Sequence, residues 1–192
     1  MTTPFLTGRQ VYVRGIEKSD LPVMVDWLSD HEVTRLLYRG GRPAHLQFLE
    51  EEWEREERDP AVVNFAVCDR ADDRFIGTTG IWGVNAMMRH GEFRVFIGDR
   101  KSWNKGVGTE CCKLMVVYGF EKLNLNKVWL GVNAANVGGV KAYEKAGFTR
   151  EGVLRQEQYR NFQYYDVIRM SILRDEYAAI RDGYLDRARE SR

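Results

Sequence analysis

The segment of this chain best suited to chemistry is the glycine-containing run WNKGVGT at residues 103–109. Gly106 and Gly108 directly precede a stretch in which apolar residues such as Cys111 and Met115 recur at helical spacing. The pattern predicts a loop that ends at the N-terminus of a helix, where backbone N–H groups have no partner within the helix. Because glycine lets a ligand approach the main chain, these groups could bind a phosphate.

Two common phosphate-binding motifs do not fit this run. A P-loop needs a glycine, four residues and then Gly-Lys-Ser/Thr, and a dinucleotide fingerprint needs a third glycine where this chain has Cys111. The run by itself leaves open a plain turn between a strand and a helix.

The elements that position this run are a strand before it and a helix after it. Residues 92–98 alternate as in a strand, so that Phe93 and Ile97 share one side. Residues 127–132 form another strand, which can run parallel to the first because a helix separates the two. Residues 137–146 follow as a second helix.

The remaining segments complete the predicted sheet. Ser19 is expected to cap the first helix. An exposed helix over residues 44–58 follows, with an inner stripe of Leu46, Leu49 and Trp53. The other predicted elements are strands at 10–14, 61–68 and 75–82, a long hairpin at 148–158 and 164–173, and a terminal helix from Arg174 that frays.

The order of elements and the composition predict the class of protein. One domain is expected over residues 1–192, with its core at about residues 10–177. The fold class is α+β, a mixed and mostly antiparallel sheet with one central parallel pair, flanked by helices. The formal net charge of +1 gives no reason to expect nucleic acid or a membrane as partner. Because neither a membrane span nor a signal peptide is evident, a cytoplasmic location is expected.

The cysteines and histidines show no spacing typical of a metal site or a disulfide framework, so no metal is expected. Cys111 and Cys112 lie in the first turns of the predicted helix, where the helix dipole could lower a thiol pKa and create a nucleophile. Packing in the core is the commoner role of such residues. The histidines His31, His45 and His90 are expected to be surface or hydrogen-bonded residues.

Three segments together carry a resemblance to a known family. WNKGVGTE, NAANVGGVKAYEKAGF and YYDVIRMSIL occur in the order typical of the GNAT superfamily of acetyl-CoA-dependent N-acetyltransferases. The chain resembles most closely the branch of ribosomal-protein N-terminal, spermidine and amino-sugar acetyltransferases, over about residues 10–177. The resemblance implies that the strands at 92–98 and 127–132 separate at their C-terminal ends, with the pantetheine arm of acetyl-CoA between them.

The resemblance also implies which residues bind acetyl-CoA as co-substrate. Trp103 stands where the family usually has Arg or Gln, and Gly139 stands where relatives often have Ser or Ala. Asn136 is equally the natural N-cap of the helix that follows it. The implied cofactor-binding residues are Phe96, Ile97, Trp103, Lys105, Gly106, Val107, Gly108, Thr109, Asn133 and Asn136.

Two residues take catalytic roles by the resemblance. Tyr143 occupies the position of the general acid, which would protonate the thiolate that leaves when an amine attacks the thioester. Without the resemblance, Tyr143 is simply a helix residue that packs on the sheet. Glu92 is the candidate base for the amine, with an ion pair to Arg94 as its alternative role. His90 is a lesser candidate base.

The acceptor is implied to be a primary amine: a polyamine, an amino sugar or a protein N-terminus. Its pocket is expected to include Trp27, Arg35 and Tyr38, with the hairpin loop at 159–165. Phe162 stands in that loop where the family often has glycine. The aromatic residues Phe162, Tyr164 and Tyr165 are either a surface cluster or a homodimer contact.

Two other classes of protein remain as alternatives. A non-catalytic acyl-CoA-binding module would use the same loop without an open acceptor site. A nucleotide-binding protein would use the loop for a different phosphate ligand.

Overall fold

The structure, a computed structural model, describes residues 3–37 and 42–189, with side chains up to residue 184. Its strands are β1 (Leu6–Thr7), β2 (Val11–Arg14), β3 (Val63–Asp69), β4 (Phe75–Asn85), β5 (His90–Ile97), β6 (Lys127–Asn133), β7 (Thr149–Arg160) and β8 (Gln163–Leu173). Its helices are α1 (Leu21–Ser29), α2 (His31–Thr34), α3 (Leu46–Arg58), α4 (Val107–Glu121), α5 (Val137–Lys145) and α6 (Arg174–Arg189).

The strands form one eight-stranded sheet in the order β1-β2-β3-β4-β5-β6-β8-β7. Every neighbouring pair of strands is antiparallel except β5 and β6, which are parallel. The crossover through α4 makes the parallel pair, because the chain must return to the same end of the sheet before β6 begins. The predicted α+β class with one central parallel pair is confirmed.

The parallel strands β5 and β6 pair only at their beginnings. The paired residues are His90 with Lys127, Gly91 with Val128, and Glu92 with Trp129. Beyond these pairs β5 continues to Ile97 and β6 to Asn133 without pairing to each other. The predicted separation of the two strands is therefore present, and we call the space between their C-terminal halves the strand gap.

Hydrophobic side chains pack on both faces of the sheet. The main core lies between the sheet and the helices α4 and α5, where Met115 and Val116 are fully buried beside Phe93. A smaller cluster on the other face joins Leu28 of α1 and Leu49 of α3 to the sheet. Because both faces are covered, β5 and β6 are held apart from two sides by packed side chains.

The packed part of the chain extends beyond the predicted limit at residue 177. Tyr177 stacks on Phe120 with ring centroids 4.8 Å apart, and the Tyr184 hydroxyl donates to the carbonyl of Ala146. Helix α6 therefore closes the core over α4 and α5. The charged composition of the tail conceals this role, because the buried Tyr177 and Tyr184 lie among mostly exposed residues.

Two local predictions are wrong. Ser19 does not cap α1, because it lies inside a 3-10 turn at Lys18–Asp20 that is held by the Asp20 carboxylate. That carboxylate accepts hydrogen bonds of 2.7 and 2.8 Å from Arg14. Leu46 does not belong to the inner stripe of α3, because it is the first residue of the helix and is 40% exposed.

Candidate active site

The loop before α4 has the geometry of an anion-binding helix N-terminus. Gly106 is the N-cap and adopts a left-handed conformation with φ of 86°. The first hydrogen bond of the helix runs from the Glu110 amide to the Gly106 carbonyl, at 3.0 Å. The amides of Val107, Gly108 and Thr109 therefore have no partner within the helix. These three N–H groups are available to a diphosphate.

Gly108 leaves the approach to these amides open. A Cβ atom built on Gly108 would meet no atom of the described residues within 4 Å. The space beside the main chain is therefore free for a ligand rather than filled by protein. Lys105 is exposed in the same loop and adds a positive charge beside the amides.

Trp103 fixes the loop to the end of β5. Its indole Nε1 donates to the Ile97 carbonyl at 2.8 Å, and the Arg100 guanidinium lies 6.0 Å from the ring centroid. This bond gives Trp103 a structural role at a position where the family usually has a polar side chain. The main-chain amides that follow remain free, so the tryptophan is compatible with an anion site.

The open edge of β5 presents particular main-chain groups to the strand gap. The Gly98 amide donates to the Ile76 carbonyl at 3.0 Å, and in the same register Phe96 pairs with Thr78 of β4. Because hydrogen-bonding direction alternates along a strand, the main chain at Val95 and Ile97 faces the gap, while that of Phe96 does not. Phe96 contributes its side chain to the site instead.

A cavity of about 620 Å³ passes through the strand gap. Both faces of β5 contribute to its wall, with Glu92 and Arg94 from one face and Phe93 and Val95 from the other. On one side of the sheet it is covered by residues of α1 and α3, and on the other it reaches Tyr143 of α5. Two ligands can therefore meet in the gap from opposite sides of the sheet.

Tyr143 lies at the α5 end of this cavity. Its ring packs edge-to-face on Phe93, with centroids 6.0 Å apart and an interplanar angle of 82°. Burial raises the pKa of Tyr143 above its usual value near 10. The phenol is therefore protonated at neutral pH and can donate a proton or a hydrogen bond.

Glu92 lines the same cavity and forms the ion pair with Arg94. Both hydrogen bonds from the guanidinium, at 2.6 and 3.0 Å, go to Glu92 Oε2. Oxygen Oε1 is not used by Arg94 and remains as an acceptor. His90, the lesser candidate base, is not among the residues that line the cavity.

Asn133 and Asn136 line the cavity, but the side-chain amides of both also form hydrogen bonds within the protein. Asn133 donates to Gln158 Oε1 and accepts from the Ala135 amide, each at 2.8 Å. Asn136 Oδ1 accepts from the Gly139 amide at 2.9 Å and caps α5. A Cβ atom on Gly139 would lie 2.7 Å from Asn136 Nδ2, so the cap explains why glycine stands there.

Two of the residues predicted for the acceptor pocket lie outside the wall of this cavity. Trp27 does not line the cavity, because its ring packs directly on Gly98 and lies 5.2 Å from Phe75. Arg35 is exposed, pairs with Glu32 at 3.8 Å and also lies outside the cavity wall. Tyr38 lies outside the described residues. The predicted region does contribute through apolar residues that no sequence signal distinguished, namely Leu28, Leu36 and Leu37.

The tip of the β7–β8 hairpin is fastened to the segment that follows α2. Gln158 Nε2 donates to the Leu37 carbonyl at 2.8 Å, and Arg160 donates to it from Nε and Nη2 at 3.0 and 2.9 Å. Phe162 has a left-handed φ of 63° and is 97% exposed. Its backbone thus adopts the conformation that glycine takes readily in relatives. The homodimer contact stays a prediction.

The reactive cysteine alternative does not fit the structure. Cys111 and Cys112 are fully buried in α4, and burial raises the pKa of both thiols. A thiol that is both inaccessible and protonated cannot act as a nucleophile. Among residues 3–37 and 42–189, no group of three or more His, Cys, Asp or Glu side chains could hold a metal ion. None of the helices in these residues is long and apolar enough to cross a membrane.

The fold and the site define a class of protein, the acyl-CoA-dependent acyltransferases built on a splayed mixed sheet. The acetyltransferase (GNAT) domain family matches residues 10–149, and the chain belongs to this family. It is an acetyl-CoA-dependent N-acetyltransferase, which moves an acetyl group from acetyl-CoA to a primary amine.

Individual relatives cover almost the whole chain. The spermidine N(1)-acetyltransferase of Escherichia coli K12 is 30% identical over 173 residues, which are 90% of this chain and 91% of the relative. A putative ribosomal N-acetyltransferase of Bacillus subtilis is 25% identical over 88% of this chain and 94% of its own length. The crystal structure of spermidine N-acetyltransferase from Vibrio cholerae in complex with CoA and spermine superimposes with a TM-score of 0.80. The two chains are 29% identical, and the match covers 88% of this chain and 98% of the Vibrio cholerae chain.

Proposed function

We propose that the acetyl acceptor of this enzyme is a polyamine. The observation that carries the proposal is the charge of the cavity, whose wall includes the carboxylates of Glu52, Glu56, Glu92 and Glu157. Among residues 3–37 and 42–189, the cationic side chains in the wall are Arg94 and Arg169. A cavity with this excess of negative charge attracts a polycation and disfavours an anionic acceptor.

The two arginines do not cancel this excess at the positions where an ammonium would bind. Arg94 is paired with Glu92, and the Arg169 guanidinium lies 4.0 Å from the centroid of Trp129. Glu56 and Glu157 form no ion pair within the described part of the chain. The similarity to spermidine acetyltransferases supports the same acceptor class.

The proposed reaction is direct attack of the amine on the thioester, with both substrates bound. A terminal amine is mostly an ammonium at neutral pH, so its proton must be removed before attack. Glu92 Oε1 takes this proton, while Arg94 holds the other oxygen and orients the carboxylate. Tyr143 donates its hydroxyl proton to the departing thiolate sulfur. The buried thiols of Cys111 and Cys112 take no part.

The proposed cofactor site consists of the α4 loop and the strand gap. The amides of Val107, Gly108 and Thr109 bind the diphosphate, with Lys105 beside them. The main chain at Val95 and the amide of Ile97 offer hydrogen bonds along the pantetheine arm, like the edge of a sheet to an added strand, while the Ile97 carbonyl accepts from Trp103. The Asn136 side chain borders the same passage while it caps α5.

The proposal is tested by turnover with acetyl-CoA and three classes of amine: spermidine, glucosamine and a peptide with a free N-terminus. We expect kcat/KM for spermidine to exceed that for the other two by about tenfold or more. A higher kcat/KM for the sugar or the peptide would refute the polyamine assignment. Tight CoA binding in calorimetry without turnover of any amine would instead favour the non-catalytic binding module.

A further inference from the structure

The end of the cavity beneath α3 contains a carboxylate that the proposed chemistry does not use. Glu56 of α3 lines the cavity, and its Oε2 accepts a hydrogen bond from Asn64 Nδ2 of β3 at 3.0 Å. This bond fixes the carboxylate on the cavity wall. No lysine or arginine in the described part of the chain forms an ion pair with Glu56, so these residues do not compensate its charge.

A second observation points to a hydrogen-bond donor at the same place. Asn64 Oδ1 is a buried acceptor without a hydrogen-bond partner among the described residues. Its amide orientation is set by Glu56, because only the NH₂ group can donate to the carboxylate. A buried acceptor of this kind is costly unless something donates to it. An ammonium group, with three donors and a positive charge, fits both Oδ1 of Asn64 and the free oxygen of Glu56.

The sheet register gives the distance from Asn64 to Arg94, the ion-pair partner of Glu92. Asn64 lies opposite Gly80, and Gly80 lies opposite Arg94, the partner of Glu92. Two strand spacings separate Asn64 from Arg94, which is about 10 Å. This distance matches the spacing between two amino groups of an extended polyamine and exceeds the spacing in a short diamine.

The cavity wall between Glu56 and Glu92 includes apolar side chains that can contact methylene groups. A Cβ atom on Gly80 would lie 2.9 Å from Trp82 Cζ3, so the indole lies over this position of the sheet. Leu28 and Leu49 face the cavity from the helices above. An alkyl chain between two ammonium groups would therefore be buried against aromatic and aliphatic side chains.

We propose that Glu56 and Asn64 form a subsite for a second ammonium group of the acceptor, about 10 Å across the sheet from Arg94, the partner of Glu92. This inference rests on the proposed polyamine activity and adds the determinant of chain length. It makes Glu56 a specificity residue that acts on acceptor binding and not on the proton transfers.

The test compares Glu56→Gln with Glu54→Gln, an equal change of charge on the exposed face of the same helix. Acetylation is measured with spermidine, with diamines of four to ten methylene groups and with a primary alkyl monoamine. In Glu56→Gln we expect KM for spermidine to rise about tenfold or more, with kcat and the monoamine KM unchanged. In the unmodified enzyme, longer diamines should have lower KM values than putrescine.

Two results distinguish the failure of this inference from failure of the proposed function. Turnover of spermidine with the same KM in Glu56→Gln and Glu54→Gln would remove the subsite and leave the polyamine activity intact. Absence of turnover with every polyamine by the unmodified enzyme would remove the proposed acceptor, and the subsite with it.

Discussion

Tyr143 and Glu92, the proposed acid and base, have different surroundings. Burial against Phe93 keeps the phenol of Tyr143 protonated. Glu92 is held through one oxygen by Arg94, so the other oxygen can accept a proton. The cavity joins the two side chains through the strand gap. The proposed acid and base therefore lie on the two sides of the sheet.

Replacement of Tyr143 with Phe should reduce kcat by about 100-fold, because the phenol is the proposed proton donor to the thiolate. The ring contacts with Phe93 remain, so circular dichroism and CoA affinity should change little. Because burial raises the pKa of Tyr143, the donor is retained as the pH rises, and kcat of the unmodified enzyme should not decline up to about pH 10. Unchanged kcat in the variant across the pH range would exclude Tyr143 as the acid.

Alanine at Cys111 or Cys112 should leave kcat/KM for acetyl-CoA and spermidine within about twofold of the unmodified enzyme. Both thiols are fully buried and protonated, so their loss removes packing and no chemistry. Each substitution should lower the free energy of unfolding by about 1 kcal/mol, measured by urea denaturation. Mass-spectrometric detection of an acetyl group on either sulfur during turnover would contradict direct attack.

At the scale of elements, the connection from β5 to α4 both attaches the loop to the strand and begins the helix. Trp103 ties the loop to the last carbonyl of β5, and the left-handed Gly106 starts the helix with three amides free. The loop is therefore attached to both β5 and α4. The amides proposed to bind the diphosphate thus have a defined position relative to the strand gap.

Gly108→Ala should weaken CoA binding by about tenfold or more without loss of stability. The added methyl group meets no protein atom within 4 Å, but it enters the space from which a diphosphate would approach the amides. Calorimetric titration with CoA measures the effect. Gly152→Ala is the matched control, because a Cβ atom there also meets nothing within 4 Å and lies away from the loop. Equal CoA affinity in the two variants would exclude close main-chain approach at Gly108.

At the scale of the molecule, the proposed function depends on the strands β5 and β6, which are paired at their beginnings and separated at their C-terminal ends. Three residue pairs join β5 to β6, and the α1–α3 layer and the α4–α5 layer hold the remainder apart. Helix α6 adds a further cover through Tyr177 and Tyr184. We propose that these layers unfold together as one domain.

Thermal unfolding should therefore show one cooperative transition that shifts upward with CoA. At a CoA concentration of about 100 times Kd, the folded state gains about 2.7 kcal/mol, which raises Tm by about 5–10 °C for a chain of this length. Scanning calorimetry measures both the number of transitions and the shift. Two separate transitions, or a Tm independent of CoA, would contradict a single domain with an intact cofactor site.

Much of the active site could be predicted from the sequence because its signals are local. The glycines at 106 and 108 mark a helix start, and Asn136 marks another, since caps and turns depend on neighbouring residues. The alternation of β5 and its parallel relation to β6 followed from periodicity and from the helix between them. The resemblance to the GNAT family added the roles that spacing alone does not assign.

The acceptor side was not predicted residue by residue, because it is assembled from segments far apart in the chain. Trp27 has the composition expected of a pocket residue, yet packing on Gly98 removes it from the cavity. Leu28, Leu36 and Glu56 resemble ordinary core or surface residues until α1 and α3 fold over the sheet. Their contacts depend on long-range packing, which no local pattern encodes.

The sequence alone determined the elements, their order and the glycine-containing loop at a helix N-terminus, because each follows from short-range backbone and side-chain preferences. The roles proposed for Tyr143 and Glu92 came from the resemblance to the GNAT family. The tertiary structure alone decided which side chains face the strand gap and that four carboxylates share one cavity. Pairing of strands and packing of helices bring together residues such as Glu56 and Glu92, which lie on different elements. The charge that an acceptor meets is set by this assembly and not by the near-neutral chain as a whole.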